Sequence, residues 1–118
     1  MKFQRFLGCA FLALMAMPAF SATLETPHYV IEVTPQCEEG NVSCDNVTYV
    51  GRAKESGKLI ALKGETLHMM CQDGKTPCRF LGYHFVNGNT EYQVLENGIL
   101  RVVQNAKVIL EERGQWQH

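Results

Sequence analysis

Aspartate, tryptophan and long apolar runs are all scarce in this chain. Asp45 and Asp73 are the sole aspartates, Trp116 is the sole tryptophan, and no serine stands in a Gly-x-Ser-x-Gly setting. The glutamates scatter over turn and strand-end sequence without marking a carboxylate pair. Hydrolytic chemistry therefore has no anchor, no cofactor motif is present, and the chain reads as a non-enzyme without a cofactor. Lysines and arginines form no stripe of the kind nucleic acid requires. No apolar run approaches the ~20 residues of a spanning helix, and no helical periodicity survives beyond the first 21 residues.

Those first residues have a character of their own. Met1-Lys2-Phe3-Gln4-Arg5 is basic, Phe6 to Met17 carries no charge, and Pro18-Ala19-Phe20-Ser21-Ala22 follows. A basic start, a short apolar core and small residues at Ala19 and Ser21 predict a secretory signal peptide over residues 1–21, cut after Ser21. Cys9 then leaves with the signal. Loss of Lys2 and Arg5 moves the formal net charge from −1 to −3, and the remaining 97 of 118 residues suffice for one domain, 22–118, with short disordered ends. The expected location is the periplasm of a Gram-negative bacterium, or the medium outside it.

Four cysteines remain, Cys37, Cys44, Cys71 and Cys78, and an even number in a short exported chain reads as a disulfide framework. Three connectivities are open. Each pair, Cys37–Cys44 and Cys71–Cys78, brackets its own turn-forming segment, which favours local bridges; the other two pairings would tie the segments together. In Cys71-Gln72-Asp73-Gly74-Lys75-Thr76-Pro77-Cys78, Gly74 accepts positive φ while Pro77 fixes its own φ and biases Thr76 to extended geometry.

Between the punctuation lie short β-branched and aromatic runs: Tyr29–Val33, Val47–Val50, Lys58–Leu62, Thr66–Cys71, Arg79–Val86, Glu91–Leu95, Ile99–Val103 and Lys107–Glu111. Lys63-Gly64-Glu65, Asn87-Gly88-Asn89 and Gln104-Asn105-Ala106 read as turns. Thr23 to Pro27 reads as a loose leader and Gly114 to His118 as a polar tail. The expected fold is all-β, an antiparallel meander of seven to eight short strands curled into a small barrel or sandwich so that few edges stay open.

A rigid stapled loop is a good device for entering a partner's cleft, because preorganisation lowers the ordering cost of association. Asp73, Lys75, Thr76, Arg79 and Tyr83 are the candidate contacts, with a periplasmic or extracellular protein as partner. Tyr92, Phe85 and Trp116 are further aromatics to place. Two alternatives stand beside this reading. One is a metal-handling protein using His68, Met70 and His84, since imidazole and thioether suit copper or zinc. The other is an envelope protein of structural role. Oligomeric state is left open.

The segments Cys44-Asp45-Asn46-Val47-Thr48-Tyr49, Leu62-Lys63-Gly64, Cys71-Gln72-Asp73-Gly74, Thr76 to Tyr83 and Phe85-Val86-Asn87-Gly88 resemble small exported bacterial proteins without assigned function. In size, export and disulfide use the chain also resembles the periplasmic lysozyme inhibitors, which are small β-barrels, although their Ser-Ala-Ser-Gly-x-x-Tyr loop is absent. The second resemblance implies a barrel architecture and inhibition of an envelope-directed hydrolase.

Overall fold

The computed structural model describes residues 21–38 and 40–117; the expected signal peptide and Cys9 lie outside the described residues, save for Ser21. The described chain is all strand and turn. Its nine strands are β1 (Ala22–Glu25), β2 (Tyr29–Pro35), β3 (Val47–Ala53), β4 (Leu59–Met70), β5 (Pro77–Asn87), β6 (Thr90–Leu95), β7 (Ile99–Gln104), β8 (Lys107–Arg113) and β9 (Gln115–Gln117). They form one antiparallel sheet in the order β8-β7-β6-β5-β4-β3-β2-β1-β9. Among the described residues, no helix is long and apolar enough to cross a membrane.

The ends of the chain close this sheet. β1 pairs with β2 along Ala22↔Val33 and with β9 along Leu24↔Trp116. β8 pairs with β7, and the chain passes from β8 to β9 through one residue, Gly114. The last strand thus exchanges one neighbour, β7, for another, β1, and curls the sheet into a nearly closed barrel. Gly114 is where the exchange happens. Its N–H donates to the Gly98 carbonyl at 2.7 Å, and a Cβ there would lie 2.1 Å from the Glu25 carbonyl oxygen, so only glycine permits the approach. Glu112 reinforces the seam. Its carboxylate accepts the His28 backbone N–H at 3.1 Å and lies 2.6 Å from His28 Nδ1. Burial alone would raise its pKa, but hydrogen bonds from Thr26 and His28 outweigh that and hold it below the ordinary value.

The leader and the polar tail expected to be disordered are therefore paired strands. Local sequence understates them because β1 is held between β2 and β9, and β9, among the described residues, pairs only with β1, from the other end of the chain. The expected turn at Lys63-Gly64-Glu65 is likewise replaced by continuous strand. Gly64 pairs with Val47 on one side and Phe85 on the other, so ladder hydrogen bonds on both flanks hold it extended. One strand is lost there and two are gained at the ends.

Alternation along the strands sets the core. Leu24, Ile31, Val33, Val47, Tyr49, Phe85, Val94, Leu100 and Val102 point inward and are buried. The Tyr49 ring lies 5.0 Å from Phe85 and 5.6 Å from Tyr92. Outside, a polar row crosses five strands: Glu65, His84, Gln93, Arg101 and Glu111 are successive cross-strand partners. The β8 edge carries Lys107 and Glu111 and a register shift that leaves Ile109 unpaired, features that discourage a second chain from adding to it.

Both disulfides are local, Cys37–Cys44 with Cα atoms 5.8 Å apart and Cys71–Cys78 with 5.2 Å. Each joins the two limbs of its own loop at separations a bridge spans without backbone movement.

Candidate functional site

Both stapled loops lie at the same end of the barrel. β4 and β5 extend past the start of β3, and this extension meets the first loop: Thr66 N–H donates to the Cys44 carbonyl at 2.8 Å and Cys44 N–H to Thr66 Oγ1 at 3.0 Å. A cleft of about 570 Å³ separates the loops, lined by Cys37, Asn41, Val42, Ser43 and Asp45 on one side and Thr76 and Pro77 on the other. Val42 is 72% exposed on the first loop, and Met69 and Met70, 51% and 50% exposed, end β4 where the second loop begins.

The second loop is fixed from within. Asp73 Oδ1 accepts the backbone N–H groups of Lys75 and Thr76, both at 2.9 Å, and Oδ2 accepts the Thr76 hydroxyl at 2.5 Å. These bonds, the Thr76 hydroxyl foremost, lower the Asp73 pKa to about 2. Cys71 N–H closes the loop on the Thr76 carbonyl at 2.8 Å. With its carboxylate spent on the loop's own donors, Asp73 shapes this end, while Lys75 and Arg79 stay exposed and make no ion pair among the described residues.

Tyr83 does not join them. It is half-buried against the core, packs edge-on to Phe80 at 5.3 Å, and its phenol pKa is raised by burial. Phe85 is fully buried, and Trp116 anchors β9 by donating from Nε1 to the Leu95 and Glu96 carbonyls at 3.3 and 3.1 Å. Nor does the fold assemble the metal alternative. His68 packs on Phe80 at 5.5 Å, Met70 sits exposed opposite Pro77, and His84 lies between Glu65 and Glu91 at 3.0 and 3.2 Å. Cys71 and Cys78 are bonded to each other, and among the described residues no three His, Cys, Asp or Glu side chains are grouped to hold an ion.

The opposite end holds a feature that the sequence reading overlooked. A cavity of about 760 Å³ opens between β2, β3 and β4 on one wall and β6, β7 and β8 on the other. Its lining includes Tyr29, Tyr49, Gly51, Ala53, Lys58, Ile60, Tyr92, Leu100, Val102 and Leu110. The taper along β3 makes the space. Inward positions run Val47, Tyr49, Gly51, Ala53, and a Cβ at Gly51 would meet the Tyr49 hydroxyl at 2.8 Å. The step from Tyr49 to the small Gly51 and Ala53 was the signal available in the sequence.

Comparison with protein-family models, curated proteins and solved structures finds no match to this chain.

Proposed function

We propose that the chain is a non-enzymatic binding protein of an oxidising, extracytoplasmic compartment whose stapled end docks into the cleft of an envelope-directed hydrolase and inhibits it. The observation that carries this reading is the exposed end: two loops bridged by sulfur, the first tied through Cys44 to Thr66 of β4 and the second locked by Asp73. Little conformational entropy is left to lose on binding, which is how protein inhibitors reach high affinity through small contact areas. Glycoside hydrolases that open the bacterial wall keep paired carboxylates in their clefts. Lys75 and Arg79 supply the complementary charge, and Val42, Met69 and Met70 the apolar contact.

The test is lysis of a cell-wall suspension by a panel of lysozymes in the presence of the exported protein. Inhibition by the wild type is expected. Lys75→Glu combined with Arg79→Glu should weaken it by about tenfold or more, since close charge pairs across interfaces carry energies of that order. A wild-type protein that leaves every enzyme of the panel fully active contradicts the proposal.

A further inference from the structure

The end of the barrel away from the disulfides has the construction of a small-molecule site. At about 760 Å³ its cavity falls in the range of ligand pockets, and its walls are apolar with a few polar groups. Three features narrow the ligand. First, Tyr92, Val102 and Leu110 are successive cross-strand partners, so the wall of β6, β7 and β8 presents one apolar row about 10 Å long at ordinary strand spacing. Second, Tyr49 is 3% exposed as a residue, and its hydroxyl lies over Gly51 on the cavity lining, with no hydrogen bond to another described residue. A phenol hydroxyl on a cavity wall is a donor open to an acceptor on a ligand. Burial, then the neighbouring Tyr92 and Tyr29 rings, push its pKa well up, so it stays protonated and able to donate. Third, Lys58 is the sole charged residue of the lining, it makes no ion pair among the described residues, and no carboxylate opposes it.

We propose that this cavity binds a single-chain anionic amphiphile, a fatty acid, with its tail along the Tyr92–Val102–Leu110 row and its carboxylate at Lys58. An apolar row flanked by neutral phenols suits a flexible hydrocarbon, and an unopposed ammonium at the mouth selects an acid over a cation or a neutral lipid. Leu59 and Ile109, 67% and 54% exposed at the rim, gain cover from the bound chain. The site is independent of the stapled loops, so it stands or falls apart from hydrolase inhibition.

Isothermal titration calorimetry with lauric acid and with dodecanol, each below its aggregation concentration, tests it. One laurate per protein is expected, with a negative heat-capacity change from apolar burial. Lys58→Ala, a change at an exposed position that leaves folding intact, should weaken laurate about tenfold, the loss of one charge-assisted contact, and leave dodecanol unchanged. Ala53→Phe should block both ligands by filling the mouth; if that variant does not fold, the Lys58 contrast decides alone. The proposal is overturned if the wild type takes up no laurate, if Lys58→Ala binds it as tightly as the wild type, or if a folded Ala53→Phe still binds. A wild-type dimer that Ile109→Asp converts to monomers would make the mouth an interface between copies and overturn it equally.

Discussion

At one end of the barrel each loop is held several times over; at the other, strands part around a space. The Cys71–Cys78 loop has a sulfur bridge, an Asp73 carboxylate with three donors and a Cys71–Thr76 backbone bond. The Lys54–Lys58 turn at the cavity end has three main-chain bonds, Gly57 to Ala53, Ala53 to Lys58 and Lys54 to His28, a Lys58 N–H bond to Ser56 Oγ and the Lys54–Glu25 ion pair, but no covalent bridge. Lowered entropy favours recognition of a large, fixed surface, whereas space between apolar walls favours a small, deformable one. The same sheet thus presents a stapled surface and an apolar cavity, separated by a core layer in which Phe85 and Tyr49 meet.

That layer is the first place to break the contrast. Phe85 is fully buried, and Phe85→Ala should cost about 3–5 kcal/mol in chemical denaturation, unfolding both ends together. Next come the bridges. Replacing Cys71 and Cys78 by serine should lower stability by about 2–3 kcal/mol, the chain-entropy value for so short a loop, while laurate affinity at the other end stays unchanged. The seam is the third. Glu112→Ala should cost about 1 kcal/mol at neutral pH, because the Glu112 side chain is only 12% exposed and its hydrogen bonds with His28 across the seam are lost. Since the folded-state pKa of Glu112 lies below its ordinary value of 4.5, its contribution is complete above about pH 4.5 and fades as pH falls through the lowered value. Wild type and variant should therefore converge in thermal stability in acid; a gap that widens there contradicts the assignment. The last effect is a gain. Asn105 and Ala106 both have positive φ, 51° and 63°, as a two-residue hairpin turn of the primed type demands, and alanine is a poor occupant. Ala106→Gly should add about 1 kcal/mol by melting temperature, with both binding activities untouched.

Much of this was legible in residue order. The alternating runs mark the central strands, the bracketed turns mark the local disulfides, and Asn87-Gly88 marks the tight β5–β6 connection. Three features were hidden, each for a physical reason. β1 and β9 are too short to announce themselves and exist because Leu24 and Trp116 meet across the whole length of the chain. Gly64 reads as a break, yet in a strand paired on both sides it stays extended and leaves room for Phe85 opposite. The cavity is an absence of side chain, and the small Gly51 and Ala53 on β3 become a volume only when β6, β7 and β8 stand opposite. Of the five contacts picked from sequence, Asp73, Lys75 and Thr76 share one loop with Arg79 just beyond it, whereas Tyr83 is drawn into the barrel by the parity that buries Phe85.

The central claim is that the two ends are built independently on one barrel. Amide hydrogen exchange, followed residue by residue before and after mild reduction, tests it most directly, because exchange reports the local opening of each segment. Reduction should strip protection from the amides of Cys44, Thr66, Cys71 and Thr76 while those of Tyr49, Tyr92 and Val102 keep theirs. Equal loss of protection at both ends, or stapled-loop amides that exchange freely even with both bridges intact, would contradict the account.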